Sequence, residues 1–120
     1  MTHDDLSKAM ACLLAWQRGR DNGTNGMLGI LFAVRNRVSE SRNWIQVVSE
    51  ELQEYGDYSP DTRNPEFLAI LQHIDGVYEG VIRDNLTNGA LYFYDQAGDP
   101  LMYDLKHERC AQIGTLVFLK

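Results

Sequence analysis

Apolar residues recur at helical spacing from the start of the chain. Leu6, Met10, Leu13 and Leu14 stand at i, i+4, i+7 and i+8, which predicts an amphipathic helix over residues 2–18 whose stripe ends at Gln17. Thr2 with Asp5 resembles a capping box, with Asp in place of the longer Glu. The segment Gly19 to Gly26 is rich in Gly and Asn and predicts a loop or a broken turn. In residues 25–38 the pattern changes: Met27, Leu28, Ile30, Leu31, Phe32, Ala33 and Val34 cover nearly every face. A helix that is apolar all round must be buried, so this is the expected central helix of the core. Its charged end, Arg35-Asn36-Arg37, lies where cations favour the helix dipole, and Asn36 and Arg37 are expected to anchor it by hydrogen bonds.

Asn43 with Gln46 predicts a cap opening a short helix from Trp44 to about Gln53. Tyr55-Gly56-Asp57-Tyr58-Ser59-Pro60 reads as a loop. Asn64-Pro65 reads as an N-cap with proline at the first helical position. Phe67, Ile70, Leu71, Ile74, Val77, Tyr78, Val81 and Ile82 then mark a long amphipathic helix to about Arg83. Gly76 and Gly80 fall inside it at a cost of about 1 kcal/mol each against Ala, so close packing on another helix is expected there. Asn88-Gly89 is a turn signal, and strands are predicted at 90–95, 109–112 and 115–119, with Ala97 to Pro100 a loop. On residues 92–94 one face should meet the core and the other should look outward. The expected architecture is one α+β domain over residues 1–120, a helical body followed by a small antiparallel sheet.

Composition supports a folded domain: 44% hydrophobic and 23% charged residues in 120 are ordinary globular values. The net charge of -6 argues against nucleic acid, because an acidic surface repels phosphate backbones. It gives no help in docking on an anionic wall or membrane. Cys12 and Cys110 are expected to be reduced. His3, His73 and His107 are far apart in polar contexts; they are expected on the surface, with no metal and no cofactor. The N-terminus lacks a basic patch followed by an apolar run, and no apolar stretch approaches the ~20 residues of a membrane span. Synthesis in the cytoplasm is therefore expected. Action outside the cytoplasm would require export by another agent or association with a virion.

Four segments in order resemble the spore-cortex-lytic/cell-wall hydrolase family. Trp16 to Gly26 leading into Asn36-Arg37-Val38 is similar to an aromatic, a small residue, Glu-Ala-Arg-Gly-Glu and a buried helix ending in Asn-Arg-Val. Tyr55-Gly56-Asp57-Tyr58-Ser59 is similar to a Gly-Gln-Phe-Ser loop. Thr87-Asn88-Gly89-Ala90-Leu91-Tyr92-Phe93-Tyr94-Asp95 is similar to Thr-Gly-Gly-Ala-Leu-Tyr-Tyr-His-Asn. Ala111-Gln112-Ile113-Gly114-Thr115-Leu116-Val117-Phe118 is similar to Arg-Ile-Gly-Asn-His-Val-Phe. The resemblance implies a lysozyme-like α+β fold and a site for the β-1,4 glycosidic bonds of peptidoglycan, with a glutamate as general acid.

The departure from that pattern falls on the acid itself. Counting back from Asn36-Arg37-Val38, the family's catalytic glutamate aligns with Arg18, its arginine with Arg20 and its second glutamate with Asn22. Cleaving an acetal requires a proton donor whose pKa lies near the operating pH. Arginine, with a pKa above about 12, cannot lend that proton. A slip of one residue substitutes Gln17 or Gly19, neither of them an acid.

Asp21 lies three residues after Arg18 and would reach the same cleft if the helix continued; otherwise it is a loop residue or an arginine partner. Asp57 and Asp95 are either cleft carboxylates or turn residues. Tyr92 and Tyr94, with Tyr55 and Tyr58, are either a sugar-stacking wall or core and surface aromatics. Three functions stay open. One is a degenerate hydrolase-like domain that binds glycan or a protein partner, its small, acidic, leaderless format pointing to a phage or prophage. The second is an active peptidoglycan hydrolase of the lytic transglycosylase or endolysin type, with a relocated acid such as Asp21 or Asp57. The third is an interaction module with no glycan role.

Overall fold

The apolar run at residues 27–34 does form the centre of the molecule. In the computed structural model, which describes residues 3–38, 42–52, 65–97 and 107–120, four α-helices precede a three-stranded sheet. The helices are α1 (His3–Gly19), α2 (Gly23–Arg37), α3 (Trp44–Leu52) and α4 (Pro65–Tyr78). The strands are β1 (Tyr92–Asp95), β2 (Arg109–Ile113) and β3 (Leu116–Leu119). The chain is thus an α+β protein with its antiparallel sheet after the helices, and no described helix is long and apolar enough to cross a membrane.

Helix α2 buries Gly26, Met27, Gly29, Ile30, Leu31, Phe32, Ala33 and Val34 and packs on α1, α4 and the sheet. Each fully buried aliphatic side chain of this kind contributes about 1.5–3 kcal/mol. From α1 come Ala11, Cys12, Leu14 and Ala15, from α3 Val47 and Val48, and from α4 Ile70, Ile74 and Val77. Helix α3 opens on a reciprocal cap. The Gln46 N–H donates to Asn43 Oδ1 and the Asn43 N–H donates to Gln46 Oε1, both at 3.0 Å. The far end of α2 is fastened as its charges suggested. Arg37, with only 8% of its side chain exposed, donates to Glu51 at 2.7 Å and Glu50 at 3.0 Å. Asn36 Nδ2 donates to the Ala90 carbonyl at 2.9 Å and to Asp84 at 3.1 Å.

Two expectations about glycine change. The Gly/Asn-rich stretch is mostly helical: a 3-10 turn over Arg20–Asn22 joins α1 to α2, and only Gly23, at φ 75°, breaks the path. The glycines Gly19 and Gly26 are there for proximity. A Cβ on Gly19 would lie 2.8 Å from Met27 Cα and N, and one on Gly26 would lie 2.9 Å from the Gly19 carbonyl oxygen. Two helix backbones therefore touch at this corner. Gly19→Ala is expected to destabilise the fold by about 2 kcal/mol, because the obstacle is backbone that cannot rotate away. An unchanged urea midpoint for this variant would refute the close approach.

The second change is at the end of α4, which stops at Tyr78 instead of about Arg83. Gly80 sits at φ 76°, its N–H bonded to the Val77 carbonyl at 3.1 Å, and the Ile82 N–H returns to Gly76 O at 3.0 Å. Gly76 makes room for the Ile82 side chain of the returning chain, and Gly80 faces Arg35. Val81 and Ile82, read as part of the apolar stripe, are exposed.

The sheet has the order β1-β3-β2, antiparallel throughout. β1 pairs with β3 in the register Tyr92 with Leu119 through Asp95 with Leu116. β2 carries a bulge between Arg109 and Ala111, where Cys110 is the extra residue. Phe93, Leu116 and Phe118 face the helices, whereas Tyr94, Val117 and Leu119 form a separate buried cluster with Tyr92 packed against it. Both faces of β3 are covered, and on β1 the face expected to look outward is half-buried at Tyr92 and buried at Tyr94.

Candidate functional site

The corner between α1 and α2 carries Arg18, Arg20, Asp21 and Asn22. Arg18 is in the last turn of α1, half-buried, with its guanidinium 5.4 Å from the centre of the Phe93 ring. Arg20 is exposed and lies 4.3 Å over the Trp16 ring. Both are cation–π geometries, each worth about 0.5–2 kcal/mol according to exposure. Asp21 follows on the 3-10 turn and is exposed. Asn22 turns to the sheet: its Oδ1 accepts the Thr115 N–H at 2.8 Å and the Thr115 hydroxyl at 3.3 Å. The α1–α2 corner is thereby tied to the β2–β3 turn, a contact that no local sequence signal announces.

The sequence-derived candidates do not gather into one described cleft. Tyr55, Asp57 and Tyr58 lie outside the described residues. Arg18 meets β1 on its Phe93 face, while Tyr92 and Tyr94 point to the other face. Tyr94 is fully buried, and its hydroxyl accepts from Arg109 Nη2 at 3.1 Å. Of the two readings open for Tyr94, its burial fits the core aromatic rather than the stacking surface. Tyr92 is half-buried, with Arg37 4.9 Å from its ring centre and the His107 ring at 4.5 Å. Asp95 accepts the Ala97 N–H at 2.9 Å, as a turn carboxylate does. His107 was expected on the surface; it is half-buried, its Nδ1 3.1 Å from the Lys120 carbonyl. Because a carbonyl only accepts, that nitrogen holds the proton. His73 is half-buried as well. Among the described residues no group of three His, Cys, Asp or Glu side chains is placed to hold a metal.

Asp84 organises the loop leading into β1, and the motif reading passed over it. Its carboxylate accepts the N–H groups of Leu86 at 3.0 Å, Thr87 at 2.8 Å and Gly89 at 3.0 Å. The hydroxyl of Thr87 and the amide of Asn36 donate to it too. Partial burial pushes the Asp84 carboxyl up, and the Thr87 hydroxyl with the three N–H donors outweighs that, so its pKa is lowered. An Asp two and three residues ahead of amides it caps is a readable turn signature, present in Asp84-Asn85-Leu86-Thr87.

Cys12 and Cys110 are both free thiols. Burial, with Asp75 adding to it, pushes the Cys12 thiol up to about 12. The Cys110 thiol is also raised, by burial first, with Glu108 and Asp84 adding and Lys120 opposing. Neither has the lowered pKa of a nucleophile. In the folded protein Cys12 is expected to resist alkylation at neutral pH and to react only after denaturation, when mass spectrometry should count two modified thiols. An intramolecular disulfide found in the native protein would contradict this.

No protein-family model, curated protein or solved structure matches the chain.

Proposed function

We propose that the chain is a degenerate cell-wall-hydrolase-like domain that binds glycan without cleaving it. The observation that carries this reading is Arg18. At the place aligned with the glutamate general acid stands a permanent cation, half-buried against Phe93. Asp21, the acid nearest in sequence, is exposed on the 3-10 turn, away from the Phe93 ring that Arg18 covers. Arg20, exposed above the half-buried Trp16 ring, offers a cation at the same corner suited to the hydroxyls and carboxylates of a peptidoglycan chain. The test is sedimentation with purified peptidoglycan, with the supernatant analysed for muropeptides. Co-sedimentation without release is expected. Cleavage would refute the loss of the acid, and absence of binding would leave a protein partner as the occupant.

A further inference from the structure

We draw no further inference here: the strongest candidate, the N-terminus of α2 with Arg20 and the side chain of Asn22 beside it at the α1–α2 corner, is a helix end next to a half-buried amide, and nothing in the structure shows what would bind there.

Discussion

Replacing Asp84 by alanine is expected to cost about 3 kcal/mol of stability, a large share of the roughly 5–15 kcal/mol that holds a domain of this size together. Five donors converge on its two oxygens: the N–H groups of Leu86, Thr87 and Gly89, the Thr87 hydroxyl and Asn36 Nδ2. A hydrogen bond to a charged acceptor contributes about 1.5–3 kcal/mol when dry. The sum must be discounted heavily, because Asp84 is partly exposed and water can replace it at the outer N–H groups. What water cannot easily reach is Thr87, which is fully buried. Asn36 would also lose one of its two acceptors and with it part of the fastening of α2 to the start of the sheet. Asp84→Asn should cost nearly as much, since its amide would set a donor among donors. Urea unfolding with an unchanged slope and a lowered midpoint is the expected record; a midpoint within error of wild type would show that solvent replaces the carboxylate fully.

The same carboxylate gives a pH signature. Its pKa is lower in the folded state than in the unfolded chain, so the unfolded state binds its proton first as pH falls. The stabilisation is complete above the ordinary Asp value of about 3.9 and disappears as pH drops through the folded value. Wild-type stability should therefore fall below about pH 4 more steeply than that of Asp84→Ala. Parallel profiles for the two proteins would mean that the donors around Asp84 are not what lowers it.

The helices were legible where one signal spoke alone. The run Met27 to Val34 has no polar face to offer solvent, and it is the buried helix. Asn43 and Gln46 cap α3 because a reciprocal pair is a strictly local device. The pattern misled where two physical causes share a residue type. Gly19 and Gly26 look like loop glycines, yet they permit helix contact; Gly80 looks like a tolerated helix glycine, yet it stops α4. Apolar periodicity ran on through Val81 and Ile82 because hydrophobicity alone does not register a positive φ at the residue before. The strands were found from their turns, but the burial of Tyr94, Val117 and Leu119 on the far face was not, since covering that face is a tertiary event. For the candidate site, the position of Arg18 at the end of α1 could be read locally. Its seat on Phe93, and Asn22 on Thr115, depend on how the sheet folds back onto the helices.

The wild-type protein is expected to release muropeptides no faster than buffer. A positioned general acid is typically worth 10²–10⁴-fold, about 3–5 kcal/mol of barrier, and no arginine can supply it. Arg18→Glu tests whether an acid at this position is all that the proposed glycan-binding domain lacks for cleavage. The new carboxyl would sit against the Phe93 ring that Arg18 now covers, an apolar neighbour of the kind that raises a carboxyl towards neutral pH. A trace of cleavage by Arg18→Glu, with none by wild type, would mean that a bound glycan presents its glycosidic oxygen to this position. Silence from both, with glycan still bound, is the expected result if the shell that tunes an acid has drifted as well. Loss of binding in Arg20→Ala would place the glycan at the α1–α2 corner, where Arg20 lies on Trp16. Two outcomes would overturn the reading. Cleavage by wild type that Asp21→Asn or Asp57→Asn abolishes would establish a relocated acid and a working hydrolase. Wild-type protein that neither cleaves nor sediments with peptidoglycan would assign this surface to a protein partner instead.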